Sequence, residues 1–237
     1  FGEYLRALVT ADRDMAPDDR LSYRTAMVAA FRARGIHAEG VGLVAAGNLL
    51  WQPPELQPAS LAALLRTMAL ASVRPAGRQR MWELSRRHAV MLKRWLEAPA
   101  RVAEGELAAL GLRRQAGPLV VARQPGRLRA LEVHAVRRAL RVGPDGETRR
   151  DLVVEITQTW VPDGAPEARL RGGCTLLIDT ETGAIRYCIR KRVANPHRVE
   201  GQLGFLAASA AMADDPYGFG RARHEPFALL HATAPVE

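Results

Sequence analysis

Apolar positions recur every three or four residues through the first half of the chain and every second residue through much of the second half. The first half therefore predicts helices and the second strands. Phe1, Leu5 and Leu8 share one face of a segment ending near Asp12. A second helix is predicted to open at Pro17-Asp18-Asp19, where carboxylates meet free N–H groups, with Tyr23, Met27, Ala30 and Phe31 as its apolar stripe and Gly35 as its stop. The connection from Ile36 to Pro54 reads as non-helical because of Pro53-Pro54. A third helix is expected from about Pro58 to Val73, burying Leu61, Leu64, Leu65 and Met68 before Pro75. A fourth spans about Arg78 to Glu97, with Met81, Leu84, His88, Met91 and Trp95 inward, and a short fifth spans Val102 to Leu110.

Beyond Gly111 the period changes. Gly117 to Val121 reads as a short strand. Arg127 to Val142 fits a strand or an amphipathic helix, and the turn signal Gly143-Pro144-Asp145-Gly146 selects a long hairpin with Asp151–Val161, with a bulge expected near Val136–Arg138. Leu152, Val154 and Ile156 alternate against Val153, Glu155 and Thr157. A second hairpin joins Gly173–Ile178 to Ala184–Arg190 through Asp179–Gly183. Asn195-Pro196 caps a last helix to about Met212, with Val199, Leu203, Leu206 and Ala210 inward, and the loop Asp214–Arg223 leads to Glu225–His231. The expected fold class is α+β: a helical N-terminal half, then an antiparallel sheet of four or five strands with a covering helix. The expected division is 1–54, a helical lobe and connection; 55–112, a helical region; and 113–237, an α+β module.

Composition supports a folded chain: 48% hydrophobic and 25% charged residues over 237 positions, enough to bury a core without disulfides or metal. No apolar run reaches the roughly 18 residues of a membrane helix, so no membrane partner is expected. The compartment is left open, leaning towards the cytoplasm. The net charge is +9, nearly all from arginine, Lys93 and Lys191 being the only lysines. The arginines are dispersed and aromatics amount to 5%, which disfavours nucleic acid as partner. An acidic protein partner suits the charge better. Arg137 and Arg138 near one hairpin tip, and Arg186, Arg190 and Lys191 on the other hairpin, are the candidate contacts for such a partner or another polyanion.

Candidate chemistry is sparse. Pairing Ile178 with Ile185 sets Leu176 opposite Tyr187 and Cys174 opposite Ile189, leaving Cys188 on the outer face with Arg186 and Arg190. Free thiols are expected, and neighbouring arginines make Cys188 the candidate reactive thiol. The six histidines show no close metal spacing, and none is assigned as a ligand; His88 reads as a hydrogen-bonded core residue, His197 as exposed and His231 as packing. Asp12, Asp14, Asp18 and Asp19 could serve calcium, but turn and cap chemistry accounts for them. Neither a G-x-S-x-G, a P-loop nor a GxGxxG is present, and no catalytic residue, metal or cofactor is assigned.

The stretch RALVTADRDMAPDDRLSYRTAMVAAFRARGI resembles the last helices of bacterial gluzincin metallopeptidase-like proteins, the thermolysin-like class. There an RAL-type helix, a loop and an R-A-containing helix close the helical lobe behind the zinc site. Arg6-Ala7-Leu8 and Tyr23-Arg24-Thr25-Ala26 fill those places over about the first 36 residues. GGCTLLIDTETGAIRYCIRKR and EPFALLH are similar to an added α+β module in large bacterial proteins with such a lobe. The HExxH helix and its downstream glutamate are absent from this chain. The resemblance therefore implies that any zinc peptidase chemistry lies upstream, and the start at Phe1 is read as a cut from a longer polypeptide. The expected role is a non-catalytic structural and interaction region, with the upstream domain as first partner. The alternatives are an enzyme using Cys188 or His134 in an unrecognised pocket, or a polyanion binder.

Overall fold

The computed structural model describes residues 1–38, 40–41, 46–55, 59–71 and 77–211. The expected helix ends at Pro58, Val73 and Met212, the loop from Asp214, and Glu225–His231 lie outside the described residues, as do His224 and His231. The fold is α+β. Helices α1 (Gly2–Met15), α2 (Tyr23–Ala33), α3 (Ala46–Leu49), α4 (Ala59–Ala71), α5 (Arg78–Glu97) and α6 (Glu104–Ala109) come first. Strands β1 (Gly117–Pro118), β2 (Gly126–Leu128), β3 (Glu132–Val142), β4 (Thr148–Pro162), β5 (Leu170–Asp179) and β6 (Ile185–Lys191) follow, then α7 (Pro196–Ala211). Among the described residues the strands number six, against the four or five expected, because the expected strand Arg127–Val142 is interrupted at 129–131 and divides into β2 and β3. They form an antiparallel sheet ordered β1-β2-β4-β5-β6, with β3 also paired to β4.

Two compact units emerge, and neither is one consecutive stretch. The first comprises 1–114, 131–157 and 173–191, and the second 115–130, 158–172 and 192–237. In the first unit, Leu152, Val154 and Ile156 of β4 and Leu176 and Ile178 of β5 bury against Leu61, Leu65 and Met68 of α4 and Leu92 and Leu96 of α5. A separate cluster joins Leu5 and Val9 of α1 to Val28 of α2 and Leu49 of α3. In the second unit, Leu128, Trp160 and Leu170 pack with Val193 and with Val199 of α7. Trp160 also donates its indole N–H to the Leu119 carbonyl at 2.9 Å.

Several local expectations are corrected. α2 begins at Tyr23 rather than Pro17, because Asp19 works as a cap at a distance: its carboxylate accepts the N–H groups of Arg24 and Thr25 at 3.3 and 3.4 Å. Its inward face is turned to Arg24 and Val28, leaving Tyr23 exposed. The connection after Ile36 holds the one-turn helix α3, since Pro53-Pro54 lies beyond it. The first hairpin's bulge falls between Val133 and Ala135, at His134, not at Val136–Arg138. In α5 the predicted bounds hold, but Ala89, Leu92 and Leu96 are inward with His88 and Trp95, whereas Met81 and Met91 are exposed. His88 is buried with no partner for Nδ1 among the described residues, and its pKa is lowered by burial and then by Arg87.

The second hairpin departs in register. Leu177 pairs with Tyr187 but Ile178 with Ile185, so Arg186 is an extra, bulged residue. The slip sets Cys174 opposite Arg190 and Leu176 opposite Cys188. Cys188 is thereby brought to the buried face, not the outer one, and joins the core cluster with Cys174.

Candidate functional site

Arg186, the bulged residue, enters a closed ring of charges. α1 supplies Asp14 and β4 supplies Asp151, with side chains only 5% and 2% exposed. Arg141 of β3 reaches Asp14 Oδ2 at 2.9 Å and Asp151 Oδ2 at 2.5 Å through one nitrogen. Arg186 of β6 reaches Asp14 Oδ1 at 2.6 Å and Asp151 Oδ1 at 2.8 Å through its two terminal nitrogens. Tyr187 donates its hydroxyl to Asp14 Oδ1 at 2.6 Å, and Arg149 lies 3.9 Å from the same oxygen. Each carboxylate is thus bridged to each of two guanidiniums, the arrangement that offsets the desolvation of buried charge.

The ring sets its own protonation. Burial alone would raise the Asp14 pKa, but the hydrogen bonds from Tyr187, Arg186 and Arg141 outweigh it and hold the carboxyl below its usual range. Burial opposes charge on Arg141 and Arg186, yet the two aspartates raise both pKa values. Tyr187 is raised by burial and by its bond to Asp14. These shifts favour the charged forms of Asp14, Arg141 and Arg186 and the neutral form of Tyr187.

On the same unit, a cleft of about 410 Å³ is lined by Arg6, Trp51, Glu55, Cys188 and Arg190, among others. The Arg6 guanidinium stacks 3.9 Å from the Trp51 ring centroid and donates to the carbonyls of Leu49 and Leu50 at 3.2 and 3.3 Å. The Cys188 backbone N–H donates to the Gln52 carbonyl at 2.9 Å, and Arg190 donates to the Ala109 carbonyl at 2.8 Å. The indole N–H of buried Trp51 has no partner among the described residues. Both cysteines are free and buried. Cys174 and Cys188 hydrogen-bond to each other. That bond raises the pKa of Cys174, with burial adding to the rise. It lowers the pKa of Cys188 against the opposing effect of burial, with Arg190 assisting.

The predicted contact residues are dispersed. Arg137 pairs with Glu155 at 2.6 Å, Arg138 is half-buried, Arg186 belongs to the ring, Arg190 holds the Ala109 carbonyl, and Lys191 is exposed opposite Gly173. His134 meets Thr157 Oγ1 at 2.6 Å and Glu132 at 3.7 Å on an exposed surface, away from the thiols' buried cluster. Of the aspartate group, Asp12 pairs with Arg24, Asp19 caps α2 and Asp18 lies 3.8 Å from Arg20, while Asp14 alone enters the ring. Sequence reasoning missed Asp14, Asp151 and Arg141 as one construction, since no spacing joins residues so far apart in the chain.

Among the described residues no three His, Cys, Asp or Glu side chains are grouped to hold a metal ion, and no helix is long and apolar enough to cross a membrane. Comparison with protein-family models, curated proteins and solved structures finds no match to this chain.

Proposed function

We propose that this chain is a non-catalytic structural and interaction region of a larger metallopeptidase-like protein. The observation that carries the reading is the charge ring. Asp14 lies inside the stretch that resembles a gluzincin lobe, and the ring ties that helix to β3, β4 and β6. Its aspartates are held by neighbouring arginines rather than left to work on a substrate, so the most elaborate polar construction in the first unit serves cohesion. The test is to incubate the purified chain with an unfolded protein substrate and zinc. No hydrolysis is expected; zinc-dependent turnover abolished by a chelator would overturn the proposal.

A second reading, thiol chemistry in the Arg6–Trp51 cleft, is favoured by the lowered pKa of Cys188 and the presence of Arg190. Burial of both sulfurs works against it. Labelling rates decide: modification of Cys188 in the folded chain faster than a free thiol peptide at neutral pH would promote this reading, and protection of both thiols until unfolding would remove it.

A further inference from the structure

The second unit carries an arrangement of arginines that the ring and the cleft do not share. Its described residues include seven arginines against three carboxylates, Asp163, Glu167 and Glu200. Leu128, Trp160 and Leu170 bury together on one face of β2, β4 and the start of β5. Strand alternation therefore turns the flanking residues to the opposite face. Those residues are Arg127 beside Leu128, Thr159 and Val161 around Trp160, and Arg171 beside Leu170; Arg129 and Arg169 lie one residue outside β2 and β5, and all four arginines are exposed. None of their guanidiniums has a hydrogen bond or ion pair among the described residues. This contrasts with Arg24, Arg137, Arg141 and Arg186, each paired to a carboxylate. Arg198 of α7 braces the margin by donating to the carbonyls of Arg192 and Arg171 at 2.8 and 2.7 Å.

We infer that this arginine face binds an acidic, extended protein segment. Residues two apart on a strand stand about 7 Å apart, and β2 and β5 flank β4 at about 10 Å from each other. The four arginines thus stand on a small grid of backbone positions whose long rows match the spacing of alternate side chains in an extended chain. Guanidinium forks suit carboxylates, which they bind through paired hydrogen bonds. The outward positions beside them on β4 are Thr159 and Val161, so no aromatic platform accompanies the charge and base stacking has no support there. The patch is also local, where a nucleic-acid backbone calls for a longer basic track. The inference does not depend on the peptidase-like parentage: the zinc assay above and the binding assay below fail separately.

The test is fluorescence anisotropy of the whole chain with a short labelled peptide of alternating Glu and Thr, run beside an oligothymidylate of equal charge. Peptide binding that weakens as salt rises is expected. Replacing Arg127, Arg129, Arg169 and Arg171 together by Gln should lower affinity by about tenfold or more, while Arg137→Gln with Arg138→Gln should leave it within about twofold. Circular dichroism checks folding. If the fourfold variant does not fold, the two double variants, Arg127→Gln/Arg129→Gln and Arg169→Gln/Arg171→Gln, replace it, each expected to lose about threefold. Undiminished binding by the variants, or tighter binding of the oligothymidylate than of the peptide, would overturn the inference.

Discussion

Asp14 shows how one side chain can decide the environment of several others. Its two oxygens collect Arg141, Arg186 and Tyr187 at 2.6 to 2.9 Å in a site from which water is largely excluded. Removing one member of such a set leaves the opposite charge buried without compensation, which costs about 3–5 kcal/mol. Asp14→Asn keeps the volume and loses the charge, so a destabilisation of that order is expected in urea unfolding. A loss below about 1 kcal/mol would mean the ring behaves as a surface pair. The pH dependence follows from the depressed pKa of Asp14. The folded state holds the carboxylate ionised more firmly than the unfolded chain, where an aspartate titrates near 3.9. The stabilisation is therefore complete above the unfolded value and declines as pH falls from about 4 through the lower folded value. Asp179, also lowered, adds to the loss in that window: burial raises it, but the N–H groups of Thr182 and Glu181 outweigh burial. In Asp14→Asn the acid-side decline should be shallower than in the native chain, a comparison made by denaturant midpoints measured across that range.

Among the elements, the two hairpins contrast most sharply, because both turns demand a left-handed glycine and only one turn touches a neighbour. Gly146 has φ +81° and open space around its Cα, whereas Gly183 has φ +76° and a Cβ there would lie 2.4 Å from the Ala62 carbonyl of α4. Gly146→Ala meets only the backbone penalty of about 1 kcal/mol. Gly183→Ala must also push the hairpin from α4, and a loss of about 3 kcal/mol is expected. Equal losses in denaturant melts would show that the turn moves freely from the helix. The same hairpin shows where sequence reading stops. Its strands and loop follow from alternation and Asp179–Gly183, but the bulge does not, since Arg186 is drawn out by Asp14, 172 residues away in the chain. That displacement is what moved Cys188 from the predicted outer face to the core. α5 repeats the lesson in helical form. Gly77 and Pro99 mark its ends, yet the apolar band from Met81 to Leu96 is wide enough to seat in more than one rotation, and packing partners selected Leu92 and Leu96 over Met81 and Met91. The free thiols were expected from a hairpin register that the structure does not keep; the cysteines stay unbridged with Cys174 opposite Arg190 and Cys188 opposite Leu176. The ring and the arginine face needed the pairing of strands to bring their members together.

At the scale of the whole molecule the sequence suggests a cut near Gly111, where helical period yields to strand period, with 113–237 as a module. The first unit's core runs through that cut. Leu152, Val154, Ile156, Leu176, Ile178 and Ile185 lie after it, and the residues that cover them, Leu61, Leu65, Met68, Leu92, Leu96 and Leu107, lie before it. Fully burying one such side chain contributes about 1.5–3 kcal/mol, so exposing six of them costs about 9–18 kcal/mol, as much as the usual net stability of a domain, about 5–15 kcal/mol. The second hairpin would lose Asp14 as well, leaving Arg141 and Arg186 with Asp151 as their one remaining ring carboxylate. Expressed alone, residues 113–237 should therefore show no cooperative thermal transition and should bind a hydrophobic dye, while addition of separately produced 1–112 should restore a transition. A sharp unfolding transition from 113–237 by itself would mean that β3 to β6 bury their apolar face without the helices. The shared core would then be a docking surface between two autonomous pieces rather than the interior of one.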